Sequence, residues 1–83
     1  RLTFRQEIDV RGFRANEAVD AVAYFVDEAL QLGVSSVRIL HGTGTGALRE
    51  SIRTYLSGVR GVQHFRDEDV RFGGAGITVV EME

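Results

Sequence analysis

The chain contains no cysteine and no proline, and all ten of its basic residues are arginine, so lysine is absent as well. Without cysteine there can be no disulfide, no thiolate nucleophile and no thiolate zinc site. Two histidines, His41 and His64, are too few for a histidine-rich metal centre. Without lysine there is no Walker A loop, which needs that residue before its serine or threonine. No proline-rich or low-complexity stretch marks an internal boundary, and no repeat stands out. The 83 residues predict a single domain over 1–83 with one modest core, residues 1–6 forming an N-terminal extension. A first residue of Arg1 leads us to expect a piece excised from a longer protein. No apolar run approaches the roughly 18 residues of a membrane span and no signal-peptide pattern opens the chain, so the expectation is a cytoplasmic domain with no membrane partner.

The charge that is present is unevenly spread. The net charge of −2 argues against an indiscriminate, strongly basic binder of nucleic acid. Residues 1–14 carry Arg1, Arg5, Arg11 and Arg14 against Glu7 and Asp9, whereas residues 67–83 carry only Arg71 against Asp67, Glu68, Asp69, Glu81 and Glu83. Arginine suits phosphate recognition because its planar fork reaches two oxygens at once, although a bias of genome composition gives the same count.

Apolar periodicity orders the chain as β-α-β-α-β-β. Leu2, Phe4, Ile8 and Val10 alternate with polar residues and predict extended chain up to Gly12. Ala18, Val22, Phe25, Val26, Ala29 and Leu32 recur at helical spacing, with Asn16 as the expected N-cap region and Gly33 as the αL stop. Val37–Leu40 predicts a short strand. Leu48, Ile52 and Leu56 mark a second helix ending near Gly58, and Val62–Arg66 a weaker strand. The β-branched run Ile77–Met82 predicts the final strand, expected to return antiparallel. The fold class expected is an α/β two-layer sandwich with a mixed four-stranded sheet, both helices on one face and the other face open to solvent or a partner.

Between the second strand and second helix lies His41-Gly42-Thr43-Gly44-Thr45-Gly46. A glycine turn entering a helix can aim backbone N–H groups at an anion, though glycine also serves such turns for steric reasons alone. The spacing is GxGxG, which does not fit the GxGxxG dinucleotide fingerprint. Thr43 and Thr45 add hydroxyls, Arg49 falls in the first helical turn, and His41 titrates near neutrality. The first strand ends in Ile8-Asp9-Val10-Arg11-Gly12; alternation sends Asp9 and Arg11 to the face opposite Ile8 and Val10. Such a pair can serve a phosphodiester, the carboxylate as base or cation ligand and the guanidinium on the phosphate, or it can be a surface ion pair. Ligands of parallel α/β sheets bind beyond the strands' carboxyl ends, where both motifs fall. Elsewhere, His64 reads as a strand-surface residue, Phe25 and Tyr55 as core or its edge, and Asp67–Asp69 as a solvated loop. Phe72 reads as a loop anchor, with base stacking as the other option.

Three stretches together carry a resemblance: Ile8–Gly12, Arg38–Arg49 and Gly73-Gly74-Ala75-Gly76-Ile77-Thr78-Val79-Val80-Glu81. The chain resembles the Smr (small MutS-related) domain over about residues 7–81, and its Asp-x-Arg motif is most like the copy closing the second bacterial MutS paralogue. The resemblance implies a fold similar to the C-terminal domain of translation initiation factor three. It implies nucleic-acid binding and endonuclease activity: nicking of DNA in recombination control, or action on RNA at stalled ribosomes. Asp9, Arg11 and His41 inherit the catalytic positions. Arg11, Gly42, Thr43, Gly44, Thr45, Gly46, Arg49 and Gly74 are the expected nucleic-acid contacts. Thr43 stands where the family often has lysine, which removes one phosphate contact, and Arg11 stands where it often has histidine, which removes a proton-transfer group. Mg²⁺ or Mn²⁺ is the cofactor expected if a cation is used, with ATP bound elsewhere in a homodimeric parent protein; the ribosome is a further expected partner. The alternative expectation is a non-catalytic module that docks the parent on DNA or ribosomal RNA. A third is a protein-interaction domain working through the open sheet face.

Overall fold

The computed structural model describes residues 4–83; the part of the first expected strand at Leu2 lies outside them. The elements run β1 (Glu7–Asp9), α1 (Ala15–Gln31), β2 (Ser36–Leu40), α2 (Ala47–Leu56), β3 (Val62–Asp67) and β4 (Ile77–Met82). Two short 3-10 turns, Val70–Phe72 and Gly74–Gly76, link β3 to β4. The sheet order is β1-β2-β4-β3, with β1 parallel to β2 and β4 antiparallel to both its neighbours. The antiparallel return of the last strand is as expected; it enters between β2 and β3 and so becomes a central strand.

Alternation along the strands sets which side chains meet the helices. Val37, Ile39, Thr78, Val80 and Met82 face α1 and α2. They close a core with Val10, Ala18, Val22, Val26, Ala29, Ile52 and Leu56, all at most 1% exposed. Each large aliphatic side chain buried in this way contributes about 1.5–3 kcal/mol. On the opposite face Arg38 and Arg66 flank Val79, which is only 4% exposed. The Arg38 guanidinium binds Glu7 and Glu68, and donates to the Phe72 carbonyl at 3.2 Å. That face is therefore bridged by charge instead of being bare.

Local differences from expectation have physical causes. The first strand contracts to Glu7–Asp9 because Phe4 turns aside to stack on Phe25, ring centroids 5.3 Å apart. The expected N-cap at Asn16 is replaced by Arg14, whose backbone N–H donates to the Glu17 carboxylate at 3.2 Å; Asn16 lies inside the first turn. At the other end Gly33 (φ +73°) is in the left-handed region, Gly33 N–H reaching Leu30 and Val34 N–H reaching Ala29. This is the paired closure that favours glycine at that position. Among the described residues, no helix is long and apolar enough to cross a membrane.

Candidate functional site

The two sequence motifs meet at the carboxyl ends of β1 and β2. Val10 N–H donates to the Leu40 carbonyl at 2.9 Å, which sets Arg11 beside the glycine turn. The contact is close: a Cβ built on Gly42 would lie 3.5 Å from Arg11 Cγ, so the arginine stem crosses the glycine. The turn itself uses Gly42, Gly44 and Gly46 at φ +79°, +29° and +85°. It is held by the Gly76 carbonyl, which accepts both the His41 and Gly42 N–H groups at 3.1 and 2.9 Å. The N–H groups of Thr43, Gly44, Thr45, Gly46, Leu48 and Arg49 have no acceptor among the described residues. Six unpaired donors at the positive end of a helix favour an anion. Thr45 Oγ1 accepts from Ala47 N–H at 3.3 Å, so that hydroxyl caps α2 and is not wholly free for a ligand.

Two concavities flank the turn. One, of about 320 Å³, lies between the turn and the start of α1, with Gly12 and Phe13 on its far wall. The other, of about 250 Å³, lies on the open-sheet side against Arg11, Leu40, Gly73, Gly76 and Ile77. Gly42 and Thr43 line both.

Asp9 and Arg11 form a closed clasp. Arg11 Nε and Nη2 donate to the two Asp9 oxygens at 2.9 and 2.6 Å, and Arg11 N–H also reaches Oδ1 at 3.1 Å. These bonds hold the Asp9 carboxyl at a pKa of about 2. So low a value makes Asp9 a poor proton acceptor near neutrality. The guanidinium uses one edge on Asp9; its other Nη edge remains a bidentate donor.

His41 is placed differently from the expectation that it would face a substrate oxygen. It is 4% exposed. Nδ1 lies 2.8 Å from the Gly42 carbonyl, which can only accept, so Nδ1 carries the proton. Nε2, 2.8 Å from Thr78 Oγ1, accepts the threonine hydrogen. Thr78 Oγ1 in turn accepts from Arg53 Nε at 3.1 Å, and Arg53 shares Asp67 Oδ1 with Arg49 at 2.6 and 2.9 Å. Burial lowers the His41 pKa; the Gly42 bond opposes this, and the Arg53 and Arg49 charges lower it further. With both nitrogens engaged, His41 is a neutral brace that locks the turn to β4.

Thr78, Arg53 and Asp67 thus support the glycine turn and were missed by sequence reasoning; Asp67 and Asp69 are exposed, as expected, but all three acids of Asp67–Asp69 are paired with arginine. Asp67 clamps Arg49 and Arg53, Glu68 binds Arg38, and Asp69 binds Arg71. Their helical and strand spacing to the arginines was available; the β3–β4 pairing that aims them was not. Gly74 also departs from expectation: it is buried and its N–H donates to the Asp69 carbonyl, whereas Gly73 and Gly76 line the second concavity. Arg49 does reach the site, with a buried Nε that has no partner among the described residues. The donor set does not build a cation site. Both Asp9 oxygens are held by Arg11, and no group of three metal-ligating side chains occurs among the described residues.

The family model of the Smr domain matches residues 8–83. The chain belongs to the Smr domain family. It is 44% identical over 77 residues to Endonuclease MutS2 of Bacillus cytotoxicus, and equally so to that of Bacillus thuringiensis. Each match covers 93% of this chain but only 10% of the relative, so the chain spans about a tenth of the length of these proteins. The crystal structure of the Smr domain of Thermus thermophilus MutS2 is 44% identical and superposes with a TM-score of 0.91, covering 94% of this chain and 98% of that one. YdaL, a stand-alone small MutS-related protein from Escherichia coli, shares the fold at 23% identity, with a TM-score of 0.88 over 94% of this chain and 64% of that chain. The mixed sheet with two helices is thus the Smr fold.

Proposed function

We propose that this Smr domain binds nucleic acid by a backbone phosphate and nicks it there, as the endonuclease domain of a MutS2-like protein. The observation that carries the reading is the Arg11 stem packed against Gly42, which sets an arginine beside a turn whose Thr43–Gly46 amides have no acceptor among the described residues. In this reading both sets of donors serve one phosphodiester at a helix N-terminus, where negative charge building on the phosphoryl oxygens is stabilised. The naming of relatives at 44% identity as endonucleases supports hydrolysis as the reaction. In it, water attacks phosphorus, the P–O ester bond breaks, and the leaving oxygen takes a proton from solvent. Asp9 holds Arg11 in register and orients the water by accepting its hydrogen bond; its low pKa assigns the proton to solvent. His41 positions the turn and transfers no proton. No step is routed through Mg²⁺ or Mn²⁺, given the donor set. The substrate proposed is DNA in recombination control or RNA at stalled ribosomes, in the cytoplasm, within an ATP-binding homodimeric parent.

A second reading, a non-catalytic docking module, is favoured by the same closed clasp: an aspartate with both oxygens occupied does little chemistry. Supercoiled plasmid and single-stranded RNA, incubated with the purified chain with and without Mg²⁺ or Mn²⁺, separate the two. Cleavage abolished by Asp9→Ala and Arg11→Ala supports nicking. Salt-sensitive binding without cleavage, lost in Arg11→Ala, supports docking. Binding of neither polymer at low salt contradicts both.

A further inference from the structure

The Asp-Val-Arg clasp occurs twice. Asp69-Val70-Arg71 repeats the tripeptide of Asp9-Val10-Arg11 and its bonding: Arg71 N–H and Nε reach Asp69 Oδ1 at 2.8 and 3.1 Å, and Nη2 reaches Oδ2 at 3.0 Å. As at Arg11, one guanidinium edge is consumed and the other is left outward. The Arg71 side chain is 78% exposed.

The surroundings differ in a telling way. Phe72, expected to anchor its loop, is instead 62% exposed, and Val70 is 89% exposed. Neither projects from slack chain. Phe72 N–H donates to the Asp69 carbonyl at 2.8 Å, and the Phe72 carbonyl accepts from Arg38 Nη2 at 3.2 Å. Gly73 is packed so tightly on Ile77 that a Cβ there would lie 2.3 Å from Cδ1. The ring is therefore held outward by a fixed backbone, which reduces the entropy lost on binding. Arg71 lies over Phe72 at 5.5 Å from the centroid. The concavity against Arg11, Gly42 and Thr43 continues to Gly73, so the turn and this loop share one surface. The acidic balance of the segment is masked locally, since Asp67, Glu68 and Asp69 are each bound to arginine.

We infer that Arg71 and Phe72 form a second nucleotide subsite, in which Phe72 stacks on an unpaired base and Arg71 binds a phosphate, next to the phosphate at the glycine turn. This rests on the phosphodiester-binding reading above. It makes the preferred ligand a strand whose bases are splayed, because a paired base does not offer its face to a side chain.

The chain has no tryptophan, so Phe72→Trp creates a single emission reporter at this position. Labelled single strands of about a dozen nucleotides, in DNA and RNA forms, and the matching duplexes serve as probes. Phe72→Ala is expected to weaken single-strand binding roughly tenfold and duplex binding much less, with unchanged thermal unfolding. Phe72→Trp is expected to retain affinity, its emission being quenched as the strand saturates. Arg71→Ala is expected to lower the slope of log affinity against log salt by about 0.7. Arg11→Ala loss of binding beside an unaffected Phe72→Ala overturns the subsite and leaves the phosphodiester reading standing. So does tryptophan emission that ignores a strand shown by its own label to be bound, or equal loss on single strand and duplex. Failure of the unmodified chain to bind either polymer overturns both.

Discussion

At the scale of the residue, two side chains carry the site in opposite ways. Arg11 is exposed and directed by Asp9, whereas His41 is enclosed and braces the turn through Thr78. The hydroxyl of Thr78 serves two partners, donating to His41 and accepting from Arg53. Thr78→Val keeps the shape and removes the hydroxyl, leaving a buried imidazole nitrogen and a guanidinium N–H unpaired. We expect a loss of about 1–3 kcal/mol in urea unfolding, with Thr78→Ser closer to the parent. His41 also predicts a pH dependence. Its folded pKa lies below its ordinary 6.5, so below that pH the unfolded chain takes up a proton that the folded chain resists. The stability His41 contributes is therefore complete above about pH 6.5 and falls as the pH drops below it. Urea midpoints taken from neutral pH down to pH 5 should decline in the parent chain and flatten in His41→Asn. The importance of His41 was legible from its place at the head of the glycine turn. Its direction was not, because the residue that orients it lies 37 positions away on a strand whose partner had yet to be assigned.

At the scale of the element, the glycine turn and the loop before β4 use glycine for different reasons. A Cβ on Gly46 would meet nothing within 4 Å, yet φ is +85°. Gly46→Ala therefore carries only the conformational cost of the left-handed region, about 1–2 kcal/mol. Gly73→Ala adds a collision with Ile77 and is expected to unfold at the lower urea concentration of the two. Both helices were legible from apolar spacing, because Ala18, Val22, Val26 and Ala29 recur at one-turn intervals and are all buried. β1 was less so. Phe4 fits the alternating pattern as well as Ile8 does, but its ring stacks on Phe25 and it lies outside β1. The His64 surface assignment held, although a bulge between Val62 and His64 shifts the β3 register.

At the scale of the whole molecule, the net charge of −2 misleads if taken as an average. The acids nearest the sheet's open face and the β3–β4 loop are bound to specific arginines: Asp67 with Arg49 and Arg53, Glu7 and Glu68 with Arg38, Glu81 with Arg66. What remains presented at the strand ends is the outer edge of Arg11 and the amides that begin α2. Affinity should accordingly be modest and its salt dependence shallow, because the slope of log affinity against log salt grows with the number of phosphate contacts and few are made. Order along the sheet, with β4 between β2 and β3, brings Thr78 under His41 and Asp67 beside Arg49. That arrangement is a property of the assembled sheet, which is why motif spacing marked the glycine turn and Arg11 but not the residues that support them.

In the function proposed, the glycine turn and Arg11 hold one phosphate between them. Titrating the ¹⁵N-labelled chain with a short single-stranded oligonucleotide, while following its amide and arginine Nε–H resonances, tests this most directly. The amides of Thr43, Gly44, Thr45, Gly46 and Arg49 are expected to move together with Arg11 Nε–H, and Arg11→Ala is expected to suppress those shifts. Shifts confined to the open sheet face around Arg38 and Arg66, with the turn amides stationary, would contradict it.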